Sequence, residues 1–210
     1  MDHETEGVIK FRLDFRRAEP LPWGACSALE GWRRLLFKLG LIGLDPSRYG
    51  GLAFGNVSLK LDHEEFLISG TQTGSLPRLN PMHYCVVKDC DLATNRVIAH
   101  GPLKPSSEAL THGAAYQASR SIRSVLHVHS PLLWENAELL GLPATDPTVA
   151  YGTPAMAEAV NRLLAGNPFR VIAMAGHRDG IIATGESPES AALLLIRAWI
   201  RSIRLEDPYG

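Results

Sequence analysis

Apolar and polar residues change period several times along the chain, and each period predicts an element. Val8, Phe11, Leu13 and Phe15 alternate with Lys10, Arg12 and Asp14, which predicts a strand that Pro20-Leu21-Pro22 closes. Ser27 and Glu30 have capping-box spacing. A helix should follow through Trp32, Leu35, Leu36 and Leu39 and end at Gly40 or Gly43. Strands are predicted from Phe54 to Leu61 and from Glu65 to Ser69, joined by the turn Asp62-His63-Glu64. Tyr84 to Val87 and Arg96 to Ala99 suit a further hairpin, with Thr94-Asn95 in its turn. A helix over 106–120 takes Ser106 or Ser107 as its cap, and a strand over 124–129 follows. Leu132 to Leu140 reads as a helix stopped by Gly141-Leu142-Pro143. Another starts with Thr153 or Gly152 as cap and Pro154 at its first position, and runs through Leu164. The apolar run from Phe169 to Ala175 should pair with Ile181 to Thr184, and Ser187-Pro188 opens a long helix through Ile203. Residues 1–7 read as a frayed end, and Arg48-Tyr49-Gly50-Gly51 and Ser69 to Gly74 as loops. Strands and helices mix throughout, without repeat or linker, which predicts one layered α/β or α+β domain over 1–210.

The strand over 124–129 carries the chemistry. In Ser124-Val125-Leu126-His127-Val128-His129 the two imidazoles share one face, because side chains alternate with period 2, and Val128 points into a core. Two imidazoles on one face can chelate a metal. A third histidine and a remote carboxylate would give a first shell for Zn²⁺ or another divalent transition metal. Glu108, in Pro105-Ser106-Ser107-Glu108, lies where a carboxylate either satisfies amides of a first helical turn or moves a proton. Ser106 and Ser107 at a helix start, Asn56 in Gly55-Asn56-Val57-Ser58, and the loop holding Thr73 and Gly74 are donor-rich turns. Together they could hold a phosphate or carboxylate. His177 sits in a turn, where histidines are usually solvated. His112, four residues after Glu108, shares its helix face and suits a supporting role. His3, His63, His83 and His100 lack supporting context.

Composition narrows the partners. Of the 210 residues, 45% are hydrophobic, enough for a sizeable core, and the net charge is −1. Arg16-Arg17 and Arg33-Arg34 are too short for a nucleic-acid patch, and no apolar run approaches a membrane span. Cys26, Cys85 and Cys90 form no zinc-binding spacing. Their odd number prevents a complete set of intrachain disulfides and suits a reducing compartment. The acidic start, Met-Asp-His-Glu-Thr-Glu, is wrong for a secretory signal, so a cytoplasmic location is expected.

Taken in order, several motifs resemble the class II aldolase/adducin family. They are Gly55-Asn56-Val57-Ser58, Phe66-Leu67-Ile68-Ser69 with Thr73-Gly74, and Pro105-Ser106-Ser107-Glu108 with His112 and Tyr116. His127-Val128-His129-Ser130, Tyr151-Gly152-Thr153 and Gly176-His177 complete the set. The resemblance implies a three-layer α/β/α fold with a central, mostly antiparallel sheet, and a divalent metal, Zn²⁺ or a substitute such as Co²⁺ or Mn²⁺. It implies His127, His129 and His177 as metal ligands and Glu108 as catalytic acid/base. Asn56, Thr73, Gly74, Ser106 and Ser107 become the phosphate cradle, and a homotetramer with sites between subunits is implied.

The chemistry so implied is aldolase-type cleavage of a small phosphorylated keto sugar or oxo acid through a metal-stabilised enediolate. Dehydration and epimerisation are close variants, but the pentulose-phosphate epimerases of the family carry Asp where Glu108 stands. A non-catalytic interaction domain like the adducin head, and a metal-dependent hydrolase, are competing readings. Retention of the three histidines and Glu108 argues against the first. The Pro-Ser-Ser-Glu context, and the lack of further hydrolase ligands, argue against the second. Two features depart from the aldolase pattern: Arg178-Asp179 separates His177 from Gly180, and the Ser69 to Gly74 loop is long. Tyr209 is the only late tyrosine and has no role assigned from sequence.

Overall fold

The computed structural model describes residues 7–62 and 64–205. Residues 1–6 of the frayed start expected over 1–7, His63 in its turn, and Tyr209 lie outside the described residues. Among the described residues ten strands form, β1 (Arg12–Arg17), β2 (Gly43–Leu44), β3 (Ala53–Phe54), β4 (Asn56–Lys60), β5 (Phe66–Ser69), β6 (Tyr84–Asp91), β7 (Arg96–Gly101), β8 (Ser124–His129), β9 (Val171–Ala173) and β10 (Gly180–Gly185). The helices are α1 (Ser27–Lys38), α2 (Ala109–Ala118), α3 (Pro131–Glu135), α4 (Pro154–Leu164) and α5 (Pro188–Leu205).

Eight strands build one sheet in the order β1-β7-β6-β5-β4-β8-β10-β9, antiparallel except where β1 runs parallel to β7. Alternation along each strand sends side chains to two cores. In β8, Val125 joins α2 and α4 through Leu110, Ala114, Met156 and Val160. Leu126 and Val128 join α1, α3 and α5 through Leu29, Leu36, Leu133, Ala191 and Leu195 on the other face. The result is the α/β/α sandwich, its sheet mostly antiparallel. None of its described helices is long and apolar enough to cross a membrane, and all three cysteines are free and buried.

Several local expectations change: α2 spans Ala109–Ala118 rather than 106–120, and β9 is Val171–Ala173 within the apolar run 169–175. β1 starts at Arg12 rather than Val8, because Phe11 turns into the core and Lys10 reaches away to donate to the Tyr151 carbonyl at 3.0 Å. The predicted helix from Leu132 ends at Glu135. There the Asn136 amide donates to the Leu132 carbonyl and to Ser202 Oγ of α5, and turns continue to Gly141. The capping box of α1 does not form. Ser27 is the first helical residue, and Glu30 faces the interior with 3% of its surface exposed. Its carboxylate accepts from the Leu79 amide (2.9 Å) and the Tyr84 hydroxyl (2.9 Å) and lies 4.0 Å from Arg33, which is also buried. Arg33 in turn donates to the carbonyls of Thr73 and Gly74. Glu30 and Arg33 therefore hold the loop after β5 in place.

Glu30→Ala should lower stability by about 3 kcal/mol, since a buried guanidinium and two donors lose their acceptor. Urea unfolding tests this, and a loss under about 0.5 kcal/mol would contradict the account.

Candidate metal centre and active site

β8 sits between β4 and β10, with Asn56 opposite His127 on one side and Ile182 on the other. His127 and His129 project from its α2/α4 face, as the alternation requires, and His177 approaches from the loop after β9. One nitrogen from each of the three lies within 4.8 Å of the others, and each residue is at most 2% exposed. His177 is therefore buried, not the solvated turn residue its context suggests. Among the described residues the cluster is made of histidines alone; Glu108 stands outside it.

The tautomer of His127 follows from its partner. A carbonyl can only accept, so Nδ1 donates to Ile181 O at 3.1 Å. Burial, with His177 and His112 nearby, pushes His127 well below the ordinary imidazole range. Burial, with His177 and His127 nearby, does the same to His129. Neutral His127 thus presents Nε2 as a lone pair, and that atom has no hydrogen-bond partner among the described residues. Three imidazoles converging in a buried site, His127 already oriented by a backbone carbonyl, fit a divalent transition metal.

Close packing builds the walls. Gly55 has a φ of +78°, and a Cβ there would stand 2.7 Å from Ile42 and 3.2 Å from His127 O. Only glycine lets the chain pass this close and set Asn56 beside His127. A Cβ on Gly180 would lie 2.9 Å from the His177 ring. The turn through Arg178-Asp179, closed by Gly180 N–H to His177 O at 2.9 Å, thus brings glycine back against the histidine. Tyr151 stacks on His177 with centroids 4.5 Å apart, and Lys10 Nζ lies 3.7 Å from the centre of that tyrosine ring. Tyr49 packs edge-on to His129 at 4.5 Å, with Phe54 behind.

The other predicted residues surround this centre. Val57 N–H donates to Ser69 Oγ and Ser106 N–H to Ser69 O, so the Asn56 strand and the turn before α2 meet at Ser69. Asn56 Oδ1 is buried without a hydrogen-bond partner among the described residues. Ser106 Oγ accepts from Glu108 N–H, and both serines are buried. Glu108, not Ser106 or Ser107 as expected, is the cap residue of α2; it is 1% exposed and accepts from Thr111 Oγ1 at 2.8 Å. Its other oxygen faces Gly152, next to the tyrosine stacked on His177. Thr73 donates its hydroxyl to Gly70 O. Gly74 lies so near Phe54 that a Cβ would stand 2.5 Å from that carbonyl, so its close approach is to protein backbone. His112 supports rather than ligates, with Nδ1 2.7 Å from Ser58 Oγ, itself 2.6 Å from the Tyr116 hydroxyl.

One group gave no sequence signal. Asp179 reads as part of a surface turn, yet it is 4% exposed and accepts from Tyr49 OH at 2.6 Å and Arg48 at 2.9 Å. It ties the Arg48-Tyr49 loop over His129. Burial and the bond to Asp179 raise the Tyr49 hydroxyl and keep it a donor.

Three buried, converging histidines with Glu108 at the head of α2 nearby, on an α/β/α sandwich, make a candidate metal centre. Residues 44–198 match the model of the class II aldolase and adducin N-terminal domain, and the chain belongs to that family. It is 30% identical over 158 residues to the 3-oxo-tetronate 4-phosphate decarboxylase of Haemophilus influenzae, covering 66% of this chain and 70% of that one. The fold is similar to that of the L-fuculose-1-phosphate aldolase of Thermus thermophilus (21% identity, TM-score 0.58, 87% of this chain and 96% of that one). It is also similar to that of a sugar-phosphate aldolase of Thermotoga maritima (16% identity, TM-score 0.62, 89% and 98%).

His112 supplies a pH test for the metal-free chain. Burial lowers it to about 3 when folded, whereas the unfolded chain titrates near pH 6.5. Between these values the unfolded state binds the extra proton. The stabilisation is therefore full above about pH 6.5 and lost as pH falls, by up to about 1.4 kcal/mol per pH unit. Urea midpoints measured from pH 7.5 to 4.5 should fall less steeply in His112→Asn than in the parent. Equal slopes would show that His112 is not held neutral.

Proposed function

We propose that this chain is a divalent-metal-dependent carbon–carbon lyase acting on a small phosphorylated keto compound. The observation that carries the reading is the convergence of His127, His129 and His177 in a buried site, with the Glu108 carboxylate at the head of α2 nearby. His127, His129 and His177 would hold the metal, which when bound supplies Lewis-acid polarisation of a substrate carbonyl.

The protein's own groups do the rest. Asn56, Ser106 and Ser107 supply donors for the phosphate, and Thr73 and Gly74 shape the loop alongside. Tyr49 and Phe54 exclude water over His129, which strengthens electrostatic interactions inside. Glu108 moves the proton. In aldol cleavage its carboxylate takes the proton of the hydroxyl two carbons from the carbonyl. The carbon–carbon bond then breaks, its electron pair staying on the carbon next to the carbonyl, and an aldehyde leaves. Glu108 returns the proton to that carbon, so one carboxyl held in place serves first as base and then as acid.

Decarboxylation of a phosphorylated 3-oxo acid is the second reading, favoured by the decarboxylase at 30% identity. The bond pair is likewise left on the carbon next to the carbonyl as CO₂ departs from the carboxylate; Glu108, here starting protonated, gives that carbon its proton and regains one from water. The chain is proposed to act in the cytoplasm as a homo-oligomer, by family resemblance a tetramer, with a neighbour completing the substrate pocket.

The metal-loaded protein should be offered phosphorylated keto sugars and phosphorylated 3-oxo acids, with aldehyde and CO₂ release measured. Glu108→Ala should lower kcat by about 10²–10⁴ while keeping metal content. His127→Ala with His129→Ala should lose metal and activity together. Full activity in Glu108→Ala would remove its assigned role. Metal content unchanged in the histidine double variant would remove the centre.

A further inference from the structure

The polar residues near the metal centre do not stop there. Asn56, Ser58 and Lys60 alternate on the same face of β4, and Glu108, His112 and Tyr116 recur every fourth residue along α2. The two rows face each other through His112 Nδ1, Ser58 Oγ and the Tyr116 hydroxyl. This polar seam crosses an otherwise apolar core and opens, at the end away from Asn56, into a cavity of about 440 Å³. The cavity is lined by Lys60, Glu64, Tyr116, Arg120 and Arg123.

Its charge is unbalanced. Lys60 is 8% exposed, a rare placement for a lysine, and its ammonium lies 5.2 Å from the centre of the Tyr116 ring. Arg123 donates to Lys60 O at 3.3 Å, which brings the second cation alongside, and Arg120 stands just past the end of α2. Glu64 is the one carboxylate among the described lining residues. It lies 3.5 Å from Lys60, and its side chain is 71% exposed. Glu64 and the carbonyl end of α2, worth about half a negative charge, answer only part of three positive charges. A concave site with a nearly buried ammonium, two guanidinium forks and a tyrosine floor has the chemistry of a phosphate receptor.

We propose that this cavity is a second anion site, separate from the metal centre, that binds a small phosphate-bearing molecule through Lys60, Arg120 and Arg123. It lies at the far end of β4 from Asn56, so an anion there does not occupy the substrate cradle.

The test is isothermal titration of inorganic phosphate into the metal-loaded full chain at low ionic strength, with sodium chloride at equal ionic strength as control. Phosphate should bind, and binding should persist when the cradle is altered by Ser106→Ala with Ser107→Ala. In that background Arg120→Ala, a change at an exposed position, should weaken it about tenfold, and Lys60→Met at least as much, with metal content unchanged. Three results would overturn the proposal. Phosphate binding could vanish with the two serines. It could be unmoved by Arg120→Ala and Lys60→Met. Or those substitutions could change the oligomer's mass with no phosphate bound in the parent, which would assign the cavity to subunit contact. If Lys60→Met fails to fold, Arg120→Ala alone decides.

Discussion

Imidazoles placed inside an apolar layer persist there only if they stay uncharged, and this constraint organises the structure around β8. In His127 and His129 desolvation disfavours the protonated ring, and the neighbouring histidines disfavour it further. Neutral rings still carry lone pairs, which buried in an apolar layer need a donor or a metal. The fold supplies direction: Ile181 O takes the Nδ1 proton of His127, and the Gly55 and Gly180 approaches leave room for the rings. A divalent cation held by the three rings, as proposed above, would offset part of the cost of their burial.

That cost explains the departures from an ideal sandwich. Glu30 and Arg33, buried on the opposite side of the sheet, hold the loop carrying Thr73 and Gly74. The loop in turn packs on Phe54, which touches His129. Asp179 holds Tyr49 against the same histidine. In the polar seam between β4 and α2, Ser58 satisfies both His112 Nδ1 and the Tyr116 hydroxyl. Each device sacrifices apolar packing to position a polar group, which is where a fold shaped by function departs from one shaped by stability alone.

The strands and helices that carry these groups were legible where period and punctuation agreed. Thr153 caps α4 and Pro154 begins it, as the sequence implies, and period 2 in β8 sets His127, His129 and Val128 on their faces. The α/β/α layering and the antiparallel sheet followed from the family resemblance. What failed was local pattern overridden by distant partners. Ser27 and Glu30 have cap spacing, but Leu79 and Tyr84 claim the carboxylate. Leu132 to Leu140 has helical composition, but Asn136 commits its amide to a carbonyl of the helix and to α5. Asp179 and the burial of His177 were invisible for the same reason. A turn of Arg, Asp and Gly reads as surface until the Arg48-Tyr49 loop, 130 positions away in sequence, closes over it.

The central claim is that three imidazoles form one metal centre, and X-ray absorption at the zinc K-edge of the zinc-loaded chain tests it most directly. The account predicts about three nitrogen scatterers near 2.0 Å with the outer-shell pattern of imidazole, and remaining ligation by oxygen. Sulfur scattering near 2.3 Å, or an oxygen-only shell without imidazole features, would place the metal elsewhere and contradict it.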